Sequence, residues 1–421
     1  MKAVILSIGD EVLTGDVVDS NAAWLAERLV EMGVEVVRHE CVGDFEDVVE
    51  ATLRRAVQGT DLVVGTGGLG PTEDDLTRHA VAKAAAAPLE LHEESLAAIQ
   101  ERFRRFGRPM PTQNSIQAMI PRGATVLPNS EGTAPGFVVR CFGCHVAFLP
   151  GVPREMKAMF EKSLAPCLLA LPIERRAVRV ARLHLYGMPE SLVNERIRHL
   201  LARTANPLVG LRVSGGVVSV KLLASGATPE EAERVLQPAR DDAERRLGDA
   251  VFGRGSDTME QVVARLLEEH GRTIAVAESC TGGLIGHLLT QVPGISRFFL
   301  EDLVTYSNEA KVELLGVPAE TIGRVGAVSE EVAAAMAEGV RRRSRAALGL
   351  STTGIAGPAG GSPEKPVGLV YVGLAAEGGT RVERFTLVGG REVIKDRAAK
   401  YALNIVRLHL QKLGDWSQEN P

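Results

Sequence analysis

Two stretches of this chain follow the same pattern: a short apolar run stops at a glycine-rich turn, and the turn opens into a helical pattern. Residues 62–65 run into Gly65-Thr66-Gly67-Gly68-Leu69-Gly70-Pro71-Thr72-Glu73-Asp74-Asp75, and residues 273–277 run into Glu278-Ser279-Cys280-Thr281-Gly282-Gly283. Short apolar runs bounded by such turns read as buried strands, and Leu284, Ile285, Leu288 and Leu289 have the spacing of an amphipathic helix. A strand that feeds a helix through glycine leaves unpaired backbone N–H groups and the positive end of a helix dipole at the turn. Such a turn holds a phosphate or stabilises the oxyanion of an attacked carbonyl.

The pattern recurs along the first 172 residues. Strands at 3–7, 34–41 and 62–65 alternate with helices at 21–32, 45–57 and 74–86, which predicts an α/β domain with a mainly parallel sheet. Residues 173–252 read differently: strand 177–185, helix 190–203, a hairpin of 207–212 and 217–224 around Ser214-Gly215-Gly216, then helix 229–247. This small α+β module has a KH-like order but no Gly-x-x-Gly loop; Tyr186-Gly187-Met188-Pro189 occupies the equivalent turn. A spacer or dimerisation role is expected of it ahead of RNA binding. Gly253-Arg254-Gly255-Ser256-Asp257-Thr258 reads as a linker. A second α/β domain spans 257–413, with strands at 273–277, 346–352, 367–375 and 380–387 and a last helix at 391–410; 415–421 reads as a frayed tail. The expected fold class is therefore two three-layer α/β domains with mainly parallel sheets, joined by a small KH-like module.

Composition removes several classes. A net charge of −5 argues against a protein built to bind nucleic acid. No apolar stretch approaches the roughly 20 residues of a membrane helix, and the start of the chain reads as a first strand and not as a signal peptide. The 5 cysteines are scattered, as suits a reducing cytoplasm. Cys141-Phe142-Gly143-Cys144-His145 matches the haem c attachment pattern, but strand-like flanks on both sides make it a hairpin.

Glycines in the 65–75 loop let backbone N–H groups approach a phosphate, and the acids that follow suit either a helix cap or an oxygen-ligated divalent metal. With Gly9-Asp10-Glu11, Pro128-Asn129-Ser130-Glu131-Gly132-Thr133-Ala134-Pro135-Gly136 and Leu149-Pro150-Gly151-Val152-Pro153-Arg154-Glu155-Met156, this loop makes four motifs in order. Together they resemble the molybdopterin-binding-like domain of the CinA family, competence/damage-inducible proteins. The resemblance implies a divalent-metal-dependent pyrophosphatase acting on ADP-ribose, with Mg2+ or Co2+ and K+ as candidate ions. It makes Asp10, Glu11, Asp74 and Asp75 candidate metal ligands or water-activating groups. Gly67, Gly68, Thr72, Asn129, Gly132 and Thr133 would line the nucleotide pocket, and Arg154 would pair with a phosphate.

In the second domain Ser279 needs a base. His270, His287 and His409 fall in helical patterns away from the loops, so Lys311 in Thr305-Tyr306-Ser307-Asn308-Glu309-Ala310-Lys311 is the better candidate, with Tyr306 to relay a proton or orient it. A Tyr-x4-Lys spacing excludes the Tyr-x3-Lys of short-chain dehydrogenases. These motifs, with Ser351-Thr352-Thr353-Gly354 and Gly389-Gly390-Arg391, are similar to the CinA C-terminal domain, the PncC-type nicotinamide mononucleotide amidohydrolases. The resemblance implies metal-free hydrolysis of nicotinamide mononucleotide to nicotinate mononucleotide and ammonia. Ser279 would attack, Lys311 with Tyr306 would activate it, and backbone near Cys280, Thr281, Gly282 and Gly283 would hold the oxyanion. Thr353, Gly354 and Arg391 would bind ribose or phosphate, with Arg397 a weaker candidate. Cys280 is a rival nucleophile. A cytoplasmic homodimer acting on small molecules is expected; the alternative is a nucleotide-binding scaffold in competence or DNA repair with degenerate sites.

Overall fold

A computed structural model describes residues 1–171, 176–202 and 204–419, with side chains described as far as residue 412. The boundary expected at 172/173, the last residue of the helix expected at 190–203 and the final two residues of the expected tail lie outside the described residues. The chain divides into two compact units, residues 1–179 with 225–233 and residues 180–224 with 234–421.

The first unit runs β1 (Lys2–Ile8), α1 (Asp10–Leu13), α2 (Ser20–Glu31), β2 (Glu35–Val42), α3 (Glu46–Ala56), β3 (Leu62–Thr66), α4 (Thr77–Ala84), β4 (Leu89–Leu91) and α5 (Glu93–Arg105). It continues with β5 (Met119–Pro121), β6 (Thr125–Leu127), β7 (Gly136–Cys141), β8 (Cys144–Leu149), α6 (Pro153–Met159) and α7 (Ala165–Ala170). The main sheet has the order β2-β1-β3-β8-β7-β6. Its first four strands are parallel, and β7 and β6 add an antiparallel edge. The apolar run of β1 is buried on both faces because helices cover both. Leu25, Leu29, Met156 and Phe160 pack on one side, Leu53, Ala80 and Val81 on the other.

One detail departs from the sequence pattern and one follows it. The helix expected from residue 74 starts at Thr77, because the Asp75 carboxylate turns back to accept from Gly70 N, Thr72 N and Thr72 Oγ1 at 2.6, 2.9 and 2.5 Å. That holds 70–76 as a loop. The Cys141/Cys144 segment is the expected hairpin, with Phe142 and Gly143 both at positive φ in the turn and Cys141 paired with Cys144. Both thiols are buried, and burial pushes the Cys144 thiol up to about 11.

The remainder begins with β9 (Ala177–Leu185), α8 (Glu190–Arg196), β10 (Leu208–Ser214), β11 (Val217–Gly226), α9 (Pro229–Leu247) and β12 (Val251–Arg254). These strands form a sheet of order β10-β11-β9-β12, with β10 and β11 as the expected hairpin. The expected linker at 253–258 is structured instead. Gly253 and Arg254 pair with β9, Asp257 Oδ2 accepts Arg254 N–H at 3.0 Å, and Gln261 Oε1 reaches back to accept Thr258 N–H at 3.1 Å at the start of the next helix.

That helix is α10 (Met259–Glu269), followed by β13 (Ile274–Glu278), α11 (Leu284–Thr290), β14 (Phe299–Val304), α12 (Asn308–Leu315), α13 (Ala319–Val325) and α14 (Glu330–Ser344). The chain then adds β15 (Leu348–Gly354), β16 (Leu369–Ala376), β17 (Gly379–Thr386) and α15 (Arg391–Glu419). The sheet order is β14-β13-β15-β16-β17: a parallel trio with an antiparallel edge. Again two cores flank the sheet, one with α10, α11 and α15 and one with α12, α13 and α14. Helix α15 continues to Glu419, through most of the segment expected to fray.

The two α/β domains share one positional rule. In each, the first strand lies between the next two of its parallel set, β1 between β2 and β3 and β13 between β14 and β15. The connections leave in opposite directions there and open a crevice at the strand carboxyl ends. Both glycine turns sit at these ends.

Candidate active sites

In the second unit, Ser279 directly follows β13 and its N–H donates to Thr352 O at 3.0 Å. The turn is held from inside by Glu278. That side chain is fully buried, and its carboxylate accepts Gly283 N–H and Gly286 N–H, each at 2.9 Å. Gly282 and Gly283 take φ of 64° and 90°, values that favour glycine, and so complete the turn into α11. With Gly283 N and Gly286 N taken, the N–H groups of Thr281 and Gly282 have no acceptor among the described residues.

Lys311 enters from α12, and its side chain is only 1% exposed. Its Nζ donates to Ser279 Oγ at 3.2 Å and to the carbonyls of Thr305, Tyr306 and Ser307 at 2.7, 3.4 and 3.3 Å. Burial lowers its pKa below the usual 10.5, against smaller opposing effects of Cys280 and Glu309. Burial disfavours the charged form of this amine, and an amine so placed against a serine hydroxyl can serve as a general base.

The other expected residues divide. Cys280 is buried, and desolvation pushes its thiol up to about 12, so the thiolate that nucleophilic attack needs is scarce. The Thr281 hydroxyl lies 2.7 Å from that of Thr352, and Thr353 Oγ1 donates to Ala327 O at 2.8 Å, so both stabilise loops. Gly354 closes β15 against Leu369 O, where a Cβ would lie 2.7 Å away. Tyr306 is 61% exposed; its phenol accepts from Arg391 Nη2 at 2.8 Å and makes no hydrogen bond to Lys311. Tyr306 meets the lysine only through its carbonyl, beside those of Thr305 and Ser307. Arg391 also donates to Gly357 O at 2.8 Å, tying the mouth of the site together. Arg397 faces the module instead, donating to Val388 O while its own carbonyl accepts from Tyr186 Oη at 2.9 Å.

Sequence reasoning missed Lys395. Its Nζ stands 3.6 Å from where a Cβ on Gly282 would be, and it has no hydrogen bond or ion pair among the described residues. One helical turn past Arg391 on α15, it was legible as an i, i+4 pair of cations. Chemistry and volume do not coincide in this unit: an 860 Å³ cavity lies away from Ser279, bounded by Tyr186, Phe385, Tyr401 and Arg407. The Ser279–Lys311 contact and the unclaimed donors are what mark the turn.

In the first unit a 630 Å³ cavity opens at the ends of β1 and β3. Glu11, Gly67, Gly68, Thr72, Asp74, Asp75 and Thr133 line it. Gly67 is required for close approach, since a Cβ there would lie 2.0 Å from Ile8 O. Asn129 holds its own loop, accepting Glu131 N–H and Gly132 N–H at 3.0 and 2.7 Å and donating to Glu155 at 2.7 Å. Asn129 and Gly132 line a neighbouring 880 Å³ cavity that shares only Thr133 among the expected residues. Arg154 is exposed and pairs with Glu131 at 2.6 Å.

The expected metal ligands do not form a donor set. Asp75 is spent on its loop, and Asp10 exchanges bonds with Asp44: Asp10 N–H to Asp44 Oδ2 at 3.0 Å, Asp44 N–H to Asp10 Oδ1 at 3.3 Å. Among the described residues lining the cavity, Glu11 and Asp74 are the carboxylates without a hydrogen bond or ion pair. Among the described residues no group of three or more His, Cys, Asp or Glu could hold a metal ion. Asp44, absent from the motifs, crowds the same acids; burial first, then the charges of Asp10, Glu11 and Asp75, raise its pKa against a backbone bond to Asp10.

Two α/β domains with switch-point crevices, one carrying a serine–lysine pair, and a KH-type module define a composite class of protein. Its parts match three family models: "Probable molybdopterin binding domain" at residues 4–170, "Damage-inducible protein CinA KH domain" at 181–253 and "CinA C-terminal domain" at 256–410. A CinA-like protein of Kosmotoga olearia is 42% identical over 98% of this chain and 100% of its own length. One from Anaeromyxobacter is 46% identical over 97% and 98%. The solved structure of a CinA protein from Thermoplasma acidophilum, 36% identical, covers 39% of this chain and 96% of its own, with a TM-score of 0.37. The chain belongs to the CinA family.

Proposed function

We propose that the chain is a two-site hydrolase of pyridine and adenine nucleotides, with the Ser279–Lys311 site a nicotinamide mononucleotide amidohydrolase. What carries this reading is the 3.2 Å contact between Ser279 Oγ and a buried lysine whose pKa is lowered. The neutral amine takes the Ser279 proton, and the freed alkoxide attacks the carboxamide carbon. Thr281 N–H and Gly282 N–H, which have no acceptor among the described residues, would hold the resulting oxyanion. Lys311, now an ammonium, returns the proton to the departing nitrogen, so ammonia leaves and an ester to Ser279 remains. Water then attacks that ester with Lys311 again as base, releasing nicotinate mononucleotide and restoring the serine. Arg391 and Lys395, both on α15, supply positive charge for the 5′-phosphate.

For the first unit the reading is hydrolysis of ADP-sugar diphosphates, ADP-ribose itself being the proposed substrate. The 630 Å³ cavity with its glycine floor suits a diphosphate, and Glu11 or Asp74 is free to activate water. Because the acids do not gather as a metal site, no step is assigned to an ion. One experiment tests both halves: the full-length chain and Ser279→Ala are given nicotinamide mononucleotide and ADP-ribose separately, with and without Mg2+, Co2+ or K+. Ammonia release should fall on the order of 10³-fold or more in Ser279→Ala, with ADP-ribose cleavage unchanged. A wild type inert towards both would return the chain to the scaffold reading.

A further inference from the structure

Behind the Ser279 turn lie two carboxyl groups that the mechanism leaves unused. One is Glu278, whose two oxygens hold Gly283 N–H and Gly286 N–H. The other is Asp302 on β14. Parallel pairing sets Val276 against Asp302 and Glu278 against Val304, so Asp302 and Glu278 stand on the same face of the sheet, one step apart on adjacent strands. They meet at Gly286: its N–H donates to Glu278 Oε1, and a Cβ on it would lie 2.1 Å from Asp302 Oδ2. Asp302 Oδ1 is buried with no hydrogen-bond partner.

An ionised Asp302 would put a second negative charge beside Glu278 and leave a buried oxygen bare, which is costly. A neutral acid avoids both penalties and can donate its proton to Glu278. The surroundings give no competing partner. Glu278 faces it from β13; on α11 the only titratable residue, His287, is exposed; Arg343 of α14 is engaged by Glu301 at 3.0 Å; and Arg297, before β14, is engaged by Glu268 at 3.3 Å. Burial first, then the charge of Glu278 and the hydrogen bond to it, raise the Asp302 pKa well above the carboxylate range.

We propose that Asp302 is held as a neutral acid donating to Glu278, and that this carboxyl–carboxylate pair positions the Ser279 turn. Asp302 is thus a positioning residue for the amidohydrolase reading, on which the inference rests. As pH rises the pair loses its proton, the two carboxylates repel, and the turn that carries the nucleophile and its N–H donors is displaced. Activity therefore rises as Lys311 becomes neutral and falls as Asp302 ionises.

The test uses full-length wild type, Asp302→Asn and Asp302→Ala, with kcat and KM for nicotinamide mononucleotide measured between about pH 6 and 9. Asn keeps the donor to Glu278 and does not titrate. It should rescue kcat to within about threefold of wild type and abolish the alkaline fall, whereas Ala should lower kcat on the order of 10²-fold with little change in KM. An Asn variant that keeps the wild-type alkaline fall would overturn the proposal. If wild type releases no ammonia, the amidohydrolase reading fails by itself, and the pair is judged by thermal unfolding. The folded state binds a proton that the unfolded state, with Asp near 3.8, has released, so wild-type Tm should drop with rising pH more steeply than that of Asp302→Asn. Equal slopes would sink the carboxyl pair.

Discussion

At the residue scale, burial sorts the reactive side chains. The same low-polarity pocket lowers the Lys311 pKa and pushes the Cys280 thiol up to about 12, because desolvation penalises whichever form is charged. In the proposed mechanism this suits one to act as a base and the other to pack. Cys280→Ala should therefore release ammonia within about threefold of wild type; a loss as deep as that of Ser279→Ala would transfer the nucleophile's role to the thiol. The lysine also leaves a stability signature. Between its lowered pKa and 10.5 the unfolded state holds more protons than the folded one, so its contribution to stability grows as pH rises through that window. Ser279 and Lys311 were legible as a pair because a serine on a glycine turn needs a base and the nearby loops offered a lysine. The Tyr306 phenol, the Thr353 hydroxyl and Asp302 were not, since side-chain direction and strand register do not appear in a motif.

At the element scale, the turns are supported from behind by groups the motifs do not advertise. Arg78, 1% exposed on α4, donates to Leu69 O and Gly70 O and so holds the glycine loop of the first unit. Burial lowers its pKa to about 10, which still leaves it cationic at neutral pH. Arg78→Met should cost about 1–3 kcal/mol through the two carbonyls left without a donor. Urea unfolding followed by a probe in the first unit reads that loss, and an unchanged midpoint would show the loop to be self-supporting. Elements with continuous apolar runs were readable to within a residue or two: β1, β3 and β13 fall where their patterns put them, and α9 follows its helical spacing. Strand β14, half-exposed and carrying Glu301 and Asp302, has no apolar run to announce it. The loop ahead of α4 was misread as helix because Asp75 looks like a helix acid until its carboxylate is seen to face backwards.

At the scale of the whole molecule, the family, the three matched regions and the α/β character agree with the sequence pattern, because strand–turn–helix repeats have few packing solutions. The KH-type module is tied to α15 within its unit. Tyr186, at the turn where a Gly-x-x-Gly loop would clamp RNA, is buried against Tyr401 at 4.8 Å, and Arg407 donates to Asp249 O at 2.7 Å. Packed this way, the turn joins the module to α15. No helix among the described residues is long and apolar enough to cross a membrane. The molecule offers several places a nucleotide could go, and the central claim is that nicotinamide mononucleotide goes to one of them. A crystal structure of full-length Ser279→Ala with that nucleotide decides it directly. The account predicts the carboxamide carbon beside residue 279, within about 3–3.5 Å of where the missing hydroxyl would be, and the phosphate at Arg391 and Lys395. A nucleotide seated in the 860 Å³ cavity, or only in the first unit, would contradict it.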